Sequence, residues 1–193
     1  MNRLLILTVA TGSILLGLCV GCDKDEEIVM TPEGTFSASY LQGRDLGRRY
    51  GAKELPDYEV VWTVAEVRTD LRADFLDGFQ AGLAQGGTAD AATAWRTVLQ
   101  DAMAGTQFET ARELGGRHAA GAVTSEQVQG TLHSSLGVSR GVALGWKAGY
   151  IKGYAAQRIA DLAAVDRVNE GRIKAMHAEA AATYHALRAS IGP

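Results

Sequence analysis

The chain has 193 residues, 47% of them hydrophobic and 21% charged, with 22 acidic against 19 basic side chains and a formal net charge of −3. That balance, with no block of lysine and arginine anywhere, argues against a nucleic-acid partner. Both cysteines, Cys19 and Cys22, lie at the amino-terminal end, so the rest of the chain has neither a disulfide nor a thiolate metal site and depends on packing alone.

Met1 to Cys22 reads MNRLLILTVATGSILLGLCVGC: Arg3 gives a positive start, Leu4 to Leu18 an apolar run, and small Gly21 immediately precedes Cys22. This is the order of an export signal. As a membrane span the run is short of the roughly 20 residues a bilayer requires, and glycines break it. The segment resembles the type II signal peptide of bacterial lipoproteins, although Cys19 stands where that family usually has Leu. The resemblance implies cleavage after residue 21, a diacylglycerol on the sulfur of Cys22, and a lipid-anchored protein in the cell envelope facing the periplasm. A soluble exported protein and an uncleaved anchor are the alternatives. Residues 22–35 then form the lipidated cysteine and a flexible tether, opened by the charged run DKDEE of Asp23 to Glu27. Asp23 next to the cysteine resembles the inner-membrane retention signal of enteric bacteria, a rule that varies between bacterial groups, so the choice of membrane stays open.

From residue 36 onward the chain is self-similar. Gly43 to Ala52, GRDLGRRYGA, matches Ala111 to Ala120, ARELGGRHAA, at an offset of 68, and Val60, Thr63 and Val64 correspond to Val128, Thr131 and Leu132 at the same offset. Gly78 to Gly86, GFQAGLAQG, matches Gly145 to Gly153, GWKAGYIKG, at 67. Three blocks in one order predict two tandem copies of a helical unit. A deletion inside a helix would rotate all that follows by about 100°, so the dropped residue between Leu132 and Gly145 belongs in a loop.

In chain order, copy one (36–86) has helices over 36–53, 57–67 and 70–86, and a linker helix covers 88–103. Copy two (104–158) has helices over 105–121, 125–134 and 136–158, with Thr124 and Gln127 spaced for a capping box. Ile173, Met176, Ala180, Tyr184 and Leu187 recur at helical spacing, predicting a C-terminal amphipathic helix over 161–190, with Gly171 as a possible break. Strand-type alternation is absent, and the expected class is an all-α, glycine-rich helical bundle.

Glycines recur every fourth residue at Gly43, Gly47 and Gly51, at Gly78, Gly82 and Gly86, and at Gly137, Gly141, Gly145, Gly149 and Gly153. Each costs a helix interior up to about 1 kcal/mol relative to Ala, a loss that close approach by a neighbouring backbone can offset. Successive members rotate about 40° around the axis, so a short row serves one neighbour and the long row serves two or wraps one. Trp146, Tyr150 and Tyr154 follow the long row as a ridge, as Phe79 and Leu83 do in copy one.

Such rows also pair transmembrane helices, which makes a self-assembling protein that permeates a membrane the alternative reading. Charge opposes it. Arg140, Lys147, Lys152 and Arg158 interrupt the long row, and Arg44, Asp45, Arg48 and Arg49 the first. Each would cost about 2.5–3.5 kcal/mol at a bilayer centre. Tyr40-Leu41-Gln42-Gly43 with Gly47, followed by Gly78-Phe79-Gln80-Ala81-Gly82, resembles the helical dimerisation segment of macrophage-infectivity-potentiator-type prolyl isomerases. The resemblance covers residues 39–86 and implies helix-mediated association without isomerase activity.

The histidines are His118, His133, His177 and His185, and the last two lie eight residues apart, too far for the i, i+4 metal pair. Adjacent helical residues diverge by about 100°, so Arg44/Asp45 and Arg112/Glu113 are read as halves of salt bridges between helices. No nucleophile elbow, phosphate loop or zinc-protease motif occurs. The expectation is a non-catalytic scaffold or protein-binding module without cofactor or metal, acting through a protein partner or self-association and attached to the membrane through Cys22.

Overall fold

The computed structural model describes residues 27–87, 89–135 and 137–191. Cys22 and the segment read as an export signal lie outside the described residues. Among the described residues, two short strands, β1 (Ile28–Thr31) and β2 (Gly34–Ser37), precede eight helices: α1 (Ala38–Gly51), α2 (Asp57–Glu66), α3 (Arg72–Ala84), α4 (Ala89–Met103), α5 (Gln107–Ala119), α6 (Ser125–His133), α7 (Arg140–Ala163) and α8 (Glu170–Ser190).

The strands are a departure from the sequence reading, which ran the tether to residue 35 and opened a helix at 36. They pair antiparallel, Ile28 with Ser37 and Thr31 with Gly34, around a turn with Pro32 and Glu33 at its centre. Pro at the second place and Gly at the fourth are favourable turn chemistry. A lone two-stranded hairpin is marginal in water, and this one is held by the helices. The Ala38 amide donates to the Glu27 carbonyl at 2.8 Å, and the Phe36 ring stacks on Tyr40 with centroids 4.9 Å apart. Arg44 pairs with Glu33. The Ser37 hydroxyl donates to Asp74 on α3 at 2.9 Å while accepting the Tyr40 amide at 3.1 Å, so one side chain caps α1 and ties it to α3.

Two helix pairs dominate the packing. Along α1, Gly43 lies over Phe75 and Gly47 over Phe79 and Leu83; the contacts advance together, so α1 and α3 run side by side in the same direction. Gly115 lies over Tyr150 and Tyr154, and Gly149 and Gly153 over Phe108 and Arg112, so α5 and α7 are likewise parallel. Parallel neighbours need a crossover, and α2 and α6 supply it. The crossover α2 contributes buried Val60, Val61 and Val64 to one core cluster, which also takes Phe75, Phe79 and Leu99; α6 contributes Val128 and Leu132 to a second cluster with Tyr150, Ile151 and Tyr184. Tyr58 and Trp62 on α2 pack against both clusters.

Local signals fix several boundaries. Thr124 and Gln127 form the capping box at α6: the Thr124 amide donates to Oε1 of Gln127 at 2.8 Å and the Gln127 amide to Oγ1 of Thr124 at 3.3 Å. Asn169 caps α8, whose start at Glu170 moves nine residues past the expected 161 because α7 runs on to Ala163. Gly171 sits in the first turn of α8 and breaks nothing.

Phe79 is wholly buried between α1 and the first core cluster. Phe79→Ala should lower unfolding free energy by about 3–5 kcal/mol in urea titration, whereas Thr124→Ala should cost about 1 kcal/mol through the lost cap.

Candidate functional site: two glycine seams and a tyrosine–histidine cluster

In the first seam, a Cβ on Gly43 would collide with the Phe75 carbonyl oxygen, on Gly47 with that of Phe79, on Gly78 with that of Tyr40 and on Gly82 with that of Arg44. The glycine hydrogen occupying each of those directions therefore points at a carbonyl across the seam. Such Cα–H···O contacts are worth about 0.5–1 kcal/mol each. In the second seam, Gly115 meets the Tyr150 carbonyl, Gly149 that of Phe108 and Gly153 that of Arg112. The fourth place is taken by buried Ala111, whose Cβ stands 3.1 Å from where a Cβ of Gly149 would be.

The contacts run in a different register from the matched letters. Tyr40 and Phe108, like Arg44 and Arg112, lie 68 residues apart, but the glycines facing them, Gly78 and Gly149 or Gly82 and Gly153, lie 71 apart, not 67. A four-residue glycine period matches itself one turn further on, so similarity of letters alone could not choose between the two.

The remaining row members fare differently. Gly141 lies against α4, where a Cβ would be 2.6 Å from the Val98 carbonyl, and Gly145 likewise 2.7 Å from that of Ala102. The long row thus serves α4 with two glycines and α5 with the next two. Gly51 has the Leu83 side chain at 3.4 Å and its carbonyl no nearer than 4.0 Å, and Gly86 has nothing within 4 Å. Gly137 precedes α7 in a loop, at φ +80° and with open space around it, so its role is backbone turning and not helix packing. Gly115 was missed as a seam glycine, although it occupies the place of Gly47 in the first matched block.

Around the second seam the aromatic ridge gathers polar groups. His118 on α5 places Nδ1 2.5 Å from the hydroxyl of buried Tyr150 and Nε2 3.2 Å from Oγ of exposed Ser125 at the start of α6. The Tyr150 ring lies 5.6 Å from Tyr184 on α8 and 6.0 Å from Tyr154. Burial, with a smaller push from Tyr154, holds the Tyr150 phenol well above its ordinary value, and burial lowers the His118 imidazole. Both groups are therefore neutral near pH 7, and the chain Ser125–His118–Tyr150 is a neutral hydrogen-bond relay joining α6, α5 and α7. His177 on α8 packs on Trp62 of α2 at 4.9 Å and is also lowered, by burial first and Lys152 second. His133 and His185 are exposed.

The repeated Arg-acid pairs do not pair as expected across helices. Arg44 reaches the hairpin at Glu33, Asp45 pairs with Arg48 on its own helix at 2.8 Å, and Arg112 pairs with Glu109 on its own helix at 2.6 Å. The bridges between helices come from other residues: Lys147 to Asp57 at 3.0 Å and Lys152 to Glu66 join α7 to α2, Arg158 to Glu179 at 3.3 Å joins α7 to α8, and Arg96 to Asp77 joins α4 to α3. A shallow cleft of about 230 Å³ lies between Glu66, Phe108, Glu109, Arg112 and Lys152, and its four charges are paired with one another. Among the described residues, no group of three or more His, Cys, Asp and Glu side chains is placed to hold a metal.

Gly47→Ala and Gly115→Ala should each cost about 2 kcal/mol or more in chemical unfolding by forcing the parallel helices apart, while Gly86→Ala, in open space, should be neutral or stabilise by about 0.4–1 kcal/mol. His118 and His177 favour their neutral forms when folded, so the unfolded chain binds protons first. The stability they contribute is fully present above about pH 6.5, the ordinary histidine value, and is lost as pH falls below that through their lowered folded values. Melting temperature should drop between pH 7 and pH 5, and His118→Gln with His177→Gln should flatten that slope. No known family model, curated protein or solved structure matches this chain, so its function must be argued from its own residues.

Proposed function

We propose that this protein is a bacterial envelope lipoprotein: Cys22 carries the lipid, the charged run after it is the tether, and the helical body is a non-catalytic scaffold that binds a protein partner. The observation that carries the address is Gly21-Cys22 at the end of the apolar run begun after Arg3. The scaffold role is supported by the seams, whose glycines face carbonyls of the same chain. Among the described residues, no helix is long and apolar enough to cross a membrane.

We infer also that the body arose by duplication of one unit. The matching register of Tyr40, Arg44, Gly78 and Gly82 with Phe108, Arg112, Gly149 and Gly153 supports this, as does the use of a crossover helix in each half.

Cys22→Ala should shift the protein from the membrane fraction to the soluble fraction of the cell envelope; unchanged fractionation would sink the lipid anchor. Added to dye-loaded liposomes, the soluble 23–193 fragment should release no dye, and leakage would favour a membrane-permeating function instead.

A further inference from the structure

Among the described residues, the large hydrophobic side chains that stand exposed are Ile28, Met30, Val138 and Val165. Two of the four share one face of β1. Ile28 is 69% and Met30 80% exposed, while Val29 between them is half-buried on the other face, opposite Phe36, which stacks on Tyr40 of α1. The hairpin therefore turns Val29 and Phe36 toward the helices and sets exposed Ile28 and Met30 on the opposite face, beside Ser37 and Thr35 of β2. It cannot swing away freely, because the Glu27 carbonyl, Glu33 and Ser37 bind Ala38, Arg44 and Asp74.

We propose that Ile28 and Met30 rest in the headgroup–acyl interface of the bilayer that holds the lipid of Cys22, and so fix how the helical body faces the membrane. This rests on the lipoprotein reading. Ile28 is six residues after Cys22, a span of at most about 20 Å of extended chain, so the outer face of β1 is always within reach of the leaflet. Asp23 to Glu27 has four acids and one lysine and offers the interface nothing apolar; the next side chains do. Two apolar side chains bind a bilayer weakly by themselves. A lipid six residues away converts that contact into an intramolecular one at high effective concentration, where a weak contact suffices. The alternative occupant is a second copy of the chain, adding its strand to the open edge of β1.

The test uses the full processed protein in phosphatidylethanolamine–phosphatidylglycerol liposomes with brominated acyl chains. Cys19 leaves with the signal and Cys22 is acylated, so Met30→Cys gives a single thiol for an environment-sensitive fluorophore. Glu126→Cys, exposed on α6, is the comparison site. Quenching at position 30 should exceed that at 126 by about threefold or more, and adding Ile28→Asp should bring it down to the level at 126 while the protein still floats with the liposomes. Equal quenching at the two sites in floating protein overturns the contact. A blue shift at position 30 without quenching puts β1 against a second copy and overturns it too. Protein that does not float refutes the lipid anchor itself, and this proposal with it.

Discussion

Direct backbone contact between parallel helices is the constraint from which the rest of this structure follows. Where Gly43, Gly47, Gly78 and Gly82 remove the side chains, α1 and α3 approach until the backbone of each faces carbonyls of the other; Gly115, Gly149 and Gly153 do the same for α5 and α7. Helices this close leave no room for a side-chain core between them. The core is displaced to their flanks, where the crossover helices α2 and α6 bring Val60, Val61, Val64, Val128 and Leu132. The parallel direction also dictates the order of elements, since two parallel helices cannot be joined by a tight turn.

The glycines make each of these helices poor by local propensity, at about 1 kcal/mol per interior glycine relative to Ala. Their helical state depends on the partner across the seam, which couples secondary structure to tertiary contact. α7 concentrates this dependence. Its first glycines serve α4, its later ones serve α5, and Lys147, Lys152 and Arg158 pair with α2 and α8. Tyr150 is engaged three ways: its carbonyl faces Gly115, its ring packs against Tyr184, and its hydroxyl meets His118. The same site that locks the second seam thus carries His118, one of the two imidazoles whose charged form burial disfavours.

Much of the helical layout was legible because it rests on local chemistry. The capping box at Thr124, the linker helix and the spacing of apolar residues on α8 are written within single turns of chain. Places where the reading failed share a physical cause. The hairpin has strands of only four residues, and its order comes from Tyr40, Arg44 and Asp74. Gly51, Gly86 and Gly137 continue the four-residue period, but whether a glycine packs depends on a neighbour being present, and there none approaches closely. Arg44 and Arg112 repeat as letters yet have different partners, because the hairpin offers Glu33 to the first alone and the second takes Glu109 on its own helix.

By itself the sequence determined the helical class, the glycine periodicity and the cysteine-free body, because these follow from residue type and from spacing along a single helix. Tertiary structure alone decided which glycines meet a backbone, the register that sets Gly149 and Gly153 against Phe108 and Arg112, and the linking of His118 to Tyr150. A four-residue repeat looks the same after a shift of one turn, and only contact with a second helix breaks that degeneracy.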